Sequence, residues 1–469
     1  MIDLLTYITL PIILIIVGLI IHKGIPWIFV RTGRRLGFRM KMTPLTARRV
    51  RRFRQIKRGY FCYLAITTLF VTSLGLEMIA NHKPIFIRYG DYWQMPAVAE
   101  FVNFWIPGVR RHDEARWRDF GLDMEGQVNG RKYTEWIQNP ALLEQEAADR
   151  EAFIVEDMER HHEFMTERAA RRGEVYDPTD EIPEWKETMY DDYRAEAAAL
   201  RLLKKDLDQG LASIVMPPYP YSPRELLLHL PGTPPHRPFQ GDGPLLGTDF
   251  AGSDVFAQLL YGFRISFAFA MMVAIIGFSV GIVVGGAMGY FGGWFDILVQ
   301  RFIEIWSSIP FLFTLMILAS VLQPTFWIMV GLLVLLRSWL GITYTIRGEF
   351  YREKSRDYVQ AVRAIGFGNR NIMLKHILPN SLVPVVTFLP FGIVSYIGAL
   401  VSLDYLGFGL PPDVPSWGRL LNQGADNIVN HPHLVLIPVA AYALTLFCVV
   451  MIGEAVREAF DPKIYARLR

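Results

Sequence analysis

The sequence predicts an all-α integral membrane protein, and three observations carry that expectation. Of its 469 residues, 52% are hydrophobic, and the mean hydropathy is positive, too apolar for an ordinary soluble chain. Apolar runs of about 18 to 25 residues, the length that crosses a bilayer, recur along it. Positive charge gathers beside the first of them: thirteen Lys or Arg, and no Asp or Glu, lie between Lys23 and Arg58.

Seven helical spans are expected, near 5 to 22, 60 to 80, 264 to 289, 296 to 322, 325 to 346, 380 to 402 and 434 to 455. The basic segment should face the cytoplasm by the positive-inside rule. Counting crossings from there puts 81 to 263 and 403 to 433 outside, and 347 to 379 and the C-terminus inside. Spans flank the Arg cluster, so a nucleic-acid role is disfavoured and the lipid bilayer is the expected partner. The charges of span 5 to 22 follow its apolar core instead of preceding it, which favours a retained span over a cleaved signal peptide. A start at Met40 or Met42 is the alternative.

The organisation follows from these spans: an N-terminal span and basic segment (1–59), a helix (60–80), an outer insertion (81–246) and a core (247–469). Residues 111 to 212 carry 26 Asp or Glu against 15 Lys or Arg. They read as soluble helices near 140 to 170 and 191 to 209, with Gly210 as a C-terminal cap. Such acidity fits a solvated helix face, or a docking or lid surface for a soluble partner. Nine prolines from Pro217 to Pro244 disfavour helix and central strand and predict an extended tether. Cys62 and Cys448 both fall in expected spans, so the insertion folds without a disulfide and both read as packing residues.

In the core, Gly277, Gly281, Gly285, Gly289 and Gly293 recur every fourth residue and predict a flat stripe for close helix approach. Glu304 and Arg337 are charges inside spans, at a cost of about 2.5 to 3.5 kcal/mol each at a helix centre. They fall at similar depth, so an ion pair between neighbouring helices, facing the bundle or a conduit, is expected. Asp357 to Ala364 can form a short helix, Gly366 and Gly368 a sharp turn, and Asn369 can cap a second helix to His376 before Pro379 resets the backbone. The product is an L-shaped polar handle between spans. Beyond Asp404, Gly407 and Gly409 break a helix, three prolines stiffen the turn, and Trp417 is expected to anchor at the outer interface.

Four segments of the core resemble permease subunits of oligopeptide and dipeptide ABC importers. GTDFAGSDVFAQLLYGFRIS (Gly247 to Ser266) is similar to the family's G-T-D-x-x-G-R-D-x6-Y-G-x-R-x-S, with Ser253 in place of Arg. QAVRAIGFGNRNIMLKHILP (Gln360 to Pro379) resembles the family's ATPase-coupling loop, with Gln360-Ala361-Val362 for Glu-Ala-Ala and His376 for Ile. SLDYLGFGLPPDVPSWG (Ser402 to Gly418) and GEAVREAFDPK (Gly453 to Lys463) resemble the outer turn and the ending. NHKPIFIRYGDYWQMP (Asn81 to Pro96) is similar to the subclass importing microcin C and murein-type peptides.

The resemblance implies a type I ABC importer permease bundle in the bacterial inner membrane, forming half of a conduit for peptides. Its partners would be a second homologous permease, two ATPase subunits that hold ATP and Mg, and a periplasmic peptide-binding protein. Asp357, Gln360, Ala361, Arg363, Gly366, Arg370, Leu378 and Pro379 would couple to the ATPase. Glu304, Arg337, Asp404, Gly407, Gly409 and Trp417 are conduit or gate candidates. No G-x-x-x-x-G-K-[ST] phosphate loop occurs, so ATP hydrolysis, and any catalysis, is expected elsewhere. Within the family, nickel or another small solute is the alternative cargo. A secondary carrier using Glu304 would need an inverted repeat or broken half-helices, which the sequence does not display. His161-His162 and His431-Pro432-His433 lack zinc-site spacing.

Overall fold

The computed structural model describes residues 44–105, 115–120, 128–172, 182–228, 230–239 and 243–461, together with Gly18, His22 and Tyr176. The chain divides into two compact units, one of Met1–Leu74 with Pro223–Arg469, the other of Gly75–Ser222. In chain order the elements are α1 (Pro44–Gln55), α2 (Lys57–Ser73), β1 (Phe86–Tyr89), β2 (Tyr92–Gln94), α3 (Pro96–Trp105), α4 (Gly130–Gln138), α5 (Ala141–Arg172), α6 (Glu184–Asp208) and β3 (Ala212–Val215). They continue with α7 (Val255–Phe291), α8 (Gly293–Ser307), α9 (Phe311–Leu322), α10 (Phe326–Leu333), α11 (Leu340–Lys354), α12 (Asp357–Ala364), α13 (Val383–Tyr405), α14 (Trp417–Ala425) and α15 (His433–Phe460).

The regular elements of the first unit are all helices, and its described residues before α7, from Pro223 on, are turns and extended chain. Three helices, α7, α13 and α15, are long and apolar enough to cross a bilayer, and five such elements result if the bent pairs α8 with α9 and α10 with α11 each count once. The expected seven are therefore not reached among the described residues. Span 5 to 22 lies outside them except for Gly18 and His22, which sit against Thr68 and Thr67 of α2. Helix α2 stops at Ser73, short of the expected residue 80, and its 17 residues extend about 25 Å at 1.5 Å per residue.

Helix α7 starts nine residues before the expected position 264, because the Asp254 carboxylate caps it by accepting the Ala257 N–H at 2.7 Å. The next two expected spans are broken. Helices α8 and α9 meet at 75° across Ser308-Ile309-Pro310, where Pro310 cannot continue the hydrogen-bond ladder. Helices α10 and α11 meet at 49° through a π-helical turn, Val334–Ser338. The broken half-helices not apparent in the sequence are thus present.

Close approach organises the remaining packing. A Cβ at Gly59 of α2 would come within 2.8 Å of the Met451 carbonyl and 2.1 Å of the Ala455 Cβ of α15. The free thiols of Cys62 and Cys448 are neighbours in the same α2–α15 contact.

The second unit pairs α5 and α6 as a helical hairpin laced by ion pairs. Arg150 meets Glu196 at 2.7 Å, Arg201 grips Glu151 with two bonds of 2.7 and 2.9 Å, and Asp157 accepts from Lys186 and Tyr190 at 2.9 Å each. Helix α6 begins seven residues before the expected 191, after Pro183, and Gly210 takes φ +71° just beyond its end. Beside the hairpin lies a three-stranded antiparallel sheet, ordered β2-β1-β3, which the sequence reading did not anticipate. Tyr133, Trp136, Leu143, Leu200 and Leu203 are buried in this unit's own core.

Candidate functional site

The polar handle is built as a helix, a turn and a second helical run. Helix α12 covers Asp357 to Ala364, and Gly366 reverses the chain at φ +90°, a conformation that glycine adopts without strain. The second run differs from expectation in two ways. Gly368, not Asn369, occupies the N-cap, and the Asn369 side chain instead accepts a hydrogen bond from the Tyr290 hydroxyl at 2.7 Å. Beyond Asn371 the run becomes π-helical over Ile372–Ile377 and continues through Pro379 to Ser381 instead of ending at His376.

One face of the handle is anchored and the other is open. Val359, Ile372 and Ile377 are buried, while Asp357, Gln360, Ala361, Arg363, Gly366, Arg370 and Pro379 are exposed and Leu378 is half-buried. Two large apolar side chains share the open side, Ile365 at 74% and Phe367 at 46% exposure. Tyr358 ties the base, donating to Glu353 at 2.8 Å and accepting from Asn380 at 3.1 Å. Burial, followed by the bond to Glu353, pushes its phenol above the ordinary tyrosine range.

The glycine stripe receives the α11 backbone and the residues leading into it. A Cβ at Gly277 would lie 2.0 Å from the Ser338 hydroxyl, at Gly281 2.8 Å from the Trp339 carbonyl, at Gly285 2.3 Å from the Thr343 carbonyl and at Gly289 2.6 Å from the Arg347 carbonyl. Gly293 is not part of this seam, since α7 ends at Phe291 and the chain turns through Gly292 and Gly293 at φ +66° and +58°.

Where the seam ends, Asp296 and Arg347 form a bidentate ion pair with both bonds at 2.6 Å, and the Tyr351 hydroxyl donates to the same carboxylate at 2.6 Å. Sequence reasoning missed this group. Arg347 sits one residue past the expected span 325 to 346 and Asp296 is the first residue of the span before it, so neither stood out as a charge within a span.

Glu304 and Arg337 do not form the expected pair. Glu304 is held within its own helix, accepting from Gln300 at 3.0 Å and Arg301 at 2.6 Å. Local i,i+3 and i,i+4 partners on one helix reach it first. Arg337 lies on the π-helical turn with its guanidinium 5.3 Å from the centre of the Phe311 ring, lining a cavity of about 600 Å³.

The turn beyond α13 is organised by Asp404. Its carboxylate accepts from the Leu410 N–H at 2.8 Å and the Ser416 hydroxyl at 2.5 Å. Gly409 packs against it, with a Cβ there falling 1.7 Å from Oδ1, and Gly407 turns the chain at φ +80°. Trp417 is not an exposed interfacial anchor. It is buried, its indole donates to the Leu259 carbonyl at 3.0 Å, and its ring covers Gly262. Gly262 and Trp417, singled out in separate segments of the sequence, are thus one contact.

Known proteins resemble this chain over most of its length. Residues 281–465 match the family described as binding-protein-dependent transport system inner membrane component. The peptidoglycan transport system permease protein YejE of Agrobacterium fabrum is 38% identical, over 90% of this chain and 94% of its own. The inner membrane ABC transporter permease protein YejE of Escherichia coli is 33% identical over 90% and 98%. The oligopeptide transport system permease protein OppC of Haemophilus influenzae is 36% identical over 46% and 70%. The chain belongs to the family of inner-membrane permease subunits of binding-protein-dependent ABC transport systems, which are non-catalytic components.

Proposed function

We propose that this chain forms half of the translocation conduit of an ATP-driven peptide importer, paired with a second, related permease. Two ATPase subunits, holding ATP and Mg, dock on the handle from the cytoplasm, and a periplasmic binding protein delivers peptide from the other side. The observation that carries this is the open face of α12 and its turn. Ala361 and Gly366 are small and exposed, Ile365 and Phe367 offer apolar contact, and Arg363 and Arg370 supply charge around them. Peptide cargo follows from relatives whose names specify oligopeptide and peptidoglycan transport.

Sidedness follows the charge: the basic helix α1 would lie with the handle inside, and residues 81–263 outside. Closure of the ATPases would move the handle, and its buried Val359 and Ile372 would pass that motion to the bundle. Such a switch is a population shift between two packed states. The test is uptake of labelled peptide into proteoliposomes holding the two permeases, the ATPases and the binding protein. Accumulation that needs ATP and is lost on omitting the ATPase supports the proposal, and ATP-independent accumulation refutes it.

A further inference from the structure

The two helix breaks open on one cavity of about 600 Å³, lined among others by Trp306, Phe311, Arg337, Phe388 and Tyr396. Its π-helical wall is held in place by aromatic donors. The Leu335 carbonyl accepts from the indoles of Trp306 and Trp339 at 3.1 and 3.0 Å, and the Ser338 carbonyl accepts from the Tyr396 phenol at 3.1 Å. Irregular backbone at membrane depth is tolerated where it lines a cavity and its polar groups are satisfied, as here. Between those carbonyls Arg337 reaches into the space, and among the described residues it forms no ion pair. A cation within a span is unfavourable without a counter-charge, so the exposed Arg337 guanidinium calls for an anion supplied from elsewhere. The cavity falls in the range of about 300 to 1,000 Å³ that suits a small ligand, more room than one pairing side chain fills.

We infer that Arg337 binds the α-carboxylate of the peptide in transit, while Phe311, Trp306 and Phe388 form the apolar wall beside its side chains. The inference rests on the peptide-import function proposed above. A guanidinium offers a planar fork that a carboxylate matches with two bonds and a terminal amide does not. The site is therefore selective for free C-termini within the membrane, independently of what the binding protein selects.

The test uses the complete transporter in proteoliposomes, with binding protein saturated by labelled trialanine or trialanine amide. The wild type should import the free acid about tenfold faster than the amide, and Arg337→Gln should import both at equal rates. A second measurement does not depend on that variant's folding. With Cys62 and Cys448 replaced by Ala, a Ser395→Cys variant on the cavity wall should be shielded from a maleimide by trialanine and not by its amide. An unchanged acid-to-amide ratio in Arg337→Gln, or equal shielding by the two peptides, overturns the inference. Loss of the partner permease from Arg337→Gln with the ratio unchanged overturns it too, and assigns Arg337 to subunit pairing. If the wild type imports neither peptide under ATP, the peptide-import function itself has failed.

Discussion

Asp296 at the start of α8 and Arg347 in α11 are joined by two parallel bonds of 2.6 Å, directly beyond the last glycine of the α7 seam. The Asp296 side chain is 6% exposed and that of Arg347 26%, so the carboxylate suffers more from losing its partner. Arg347→Gln should destabilise the protein by about 3 kcal/mol, as breaking a buried pair does, and by more than Asp296→Asn. Exchanging the two residues should not restore stability, because Tyr351 would then donate toward a guanidinium. Thermal unfolding of the purified transporter in detergent measures all three.

The seam predicts a graded response to added methyl groups. Gly285→Ala would press a Cβ to 2.3 Å from the Thr343 carbonyl, whereas at Gly286 the nearest atom is the Phe350 ring at 3.1 Å. Overpacking of this kind costs about 1 to 3 kcal/mol, more than the roughly 1 kcal/mol that Ala gains over Gly in a helix. Gly285→Ala should therefore lower the melting temperature, and Gly286→Ala should change it little.

The turn beyond α13 depends on one carboxylate. Asp404→Ala leaves the buried Leu410 N–H and Ser416 hydroxyl without their acceptor, a loss of about 1 to 3 kcal/mol for each unsatisfied group. Gly409→Ala should do similar damage by displacing the same carboxylate. Limited proteolysis should cut both variants faster between 405 and 418 than the wild type.

Acid should weaken the unit of residues 75–222 in a definite window. His82 is half-buried with its Nδ1 fully enclosed, and desolvation, aided by Lys83, lowers its pKa to about 4. The unfolded imidazole, with a pKa of about 6.5, takes up its proton first, so stability present above that value falls as pH drops toward 4. Asp157, held low by Lys186 and then Tyr190, loses its contribution only below the ordinary carboxylate range. Protection from hydrogen exchange across 75–222, taken relative to the intrinsic rate at each pH, should fall between pH 6.5 and 4, and His82→Gln should flatten that dependence.

Much of the core was legible because its signals are local. Spacing of four placed Gly277 to Gly289 on one face, and Gly366 marked the turn that closes α12. Partners distant in sequence were not legible. No periodicity pairs Asp296 with Arg347 or seats Trp417 on Gly262, and the Glu304–Arg337 expectation failed because depth alone says nothing of the nearer Arg301. The two bent pairs were hidden because the apolar runs resume at once on either side of Pro310 and of the π-helical turn. The sheet was missed because β1 and β3 are four residues each and separated by the whole helical hairpin.

The central claim is that the handle receives a separate ATPase, and cysteine cross-linking at Ala361 tests it most directly. In inside-out vesicles of the complete transporter, with Cys62 and Cys448 replaced by Ala, Ala361→Cys should cross-link to an ATPase subunit. Adding Arg363→Glu and Arg370→Glu should remove both the cross-link and ATP-driven uptake. Modification of Ala361→Cys by an impermeant reagent from the periplasmic side, or full uptake with both charges reversed and the cross-link gone, would contradict the account.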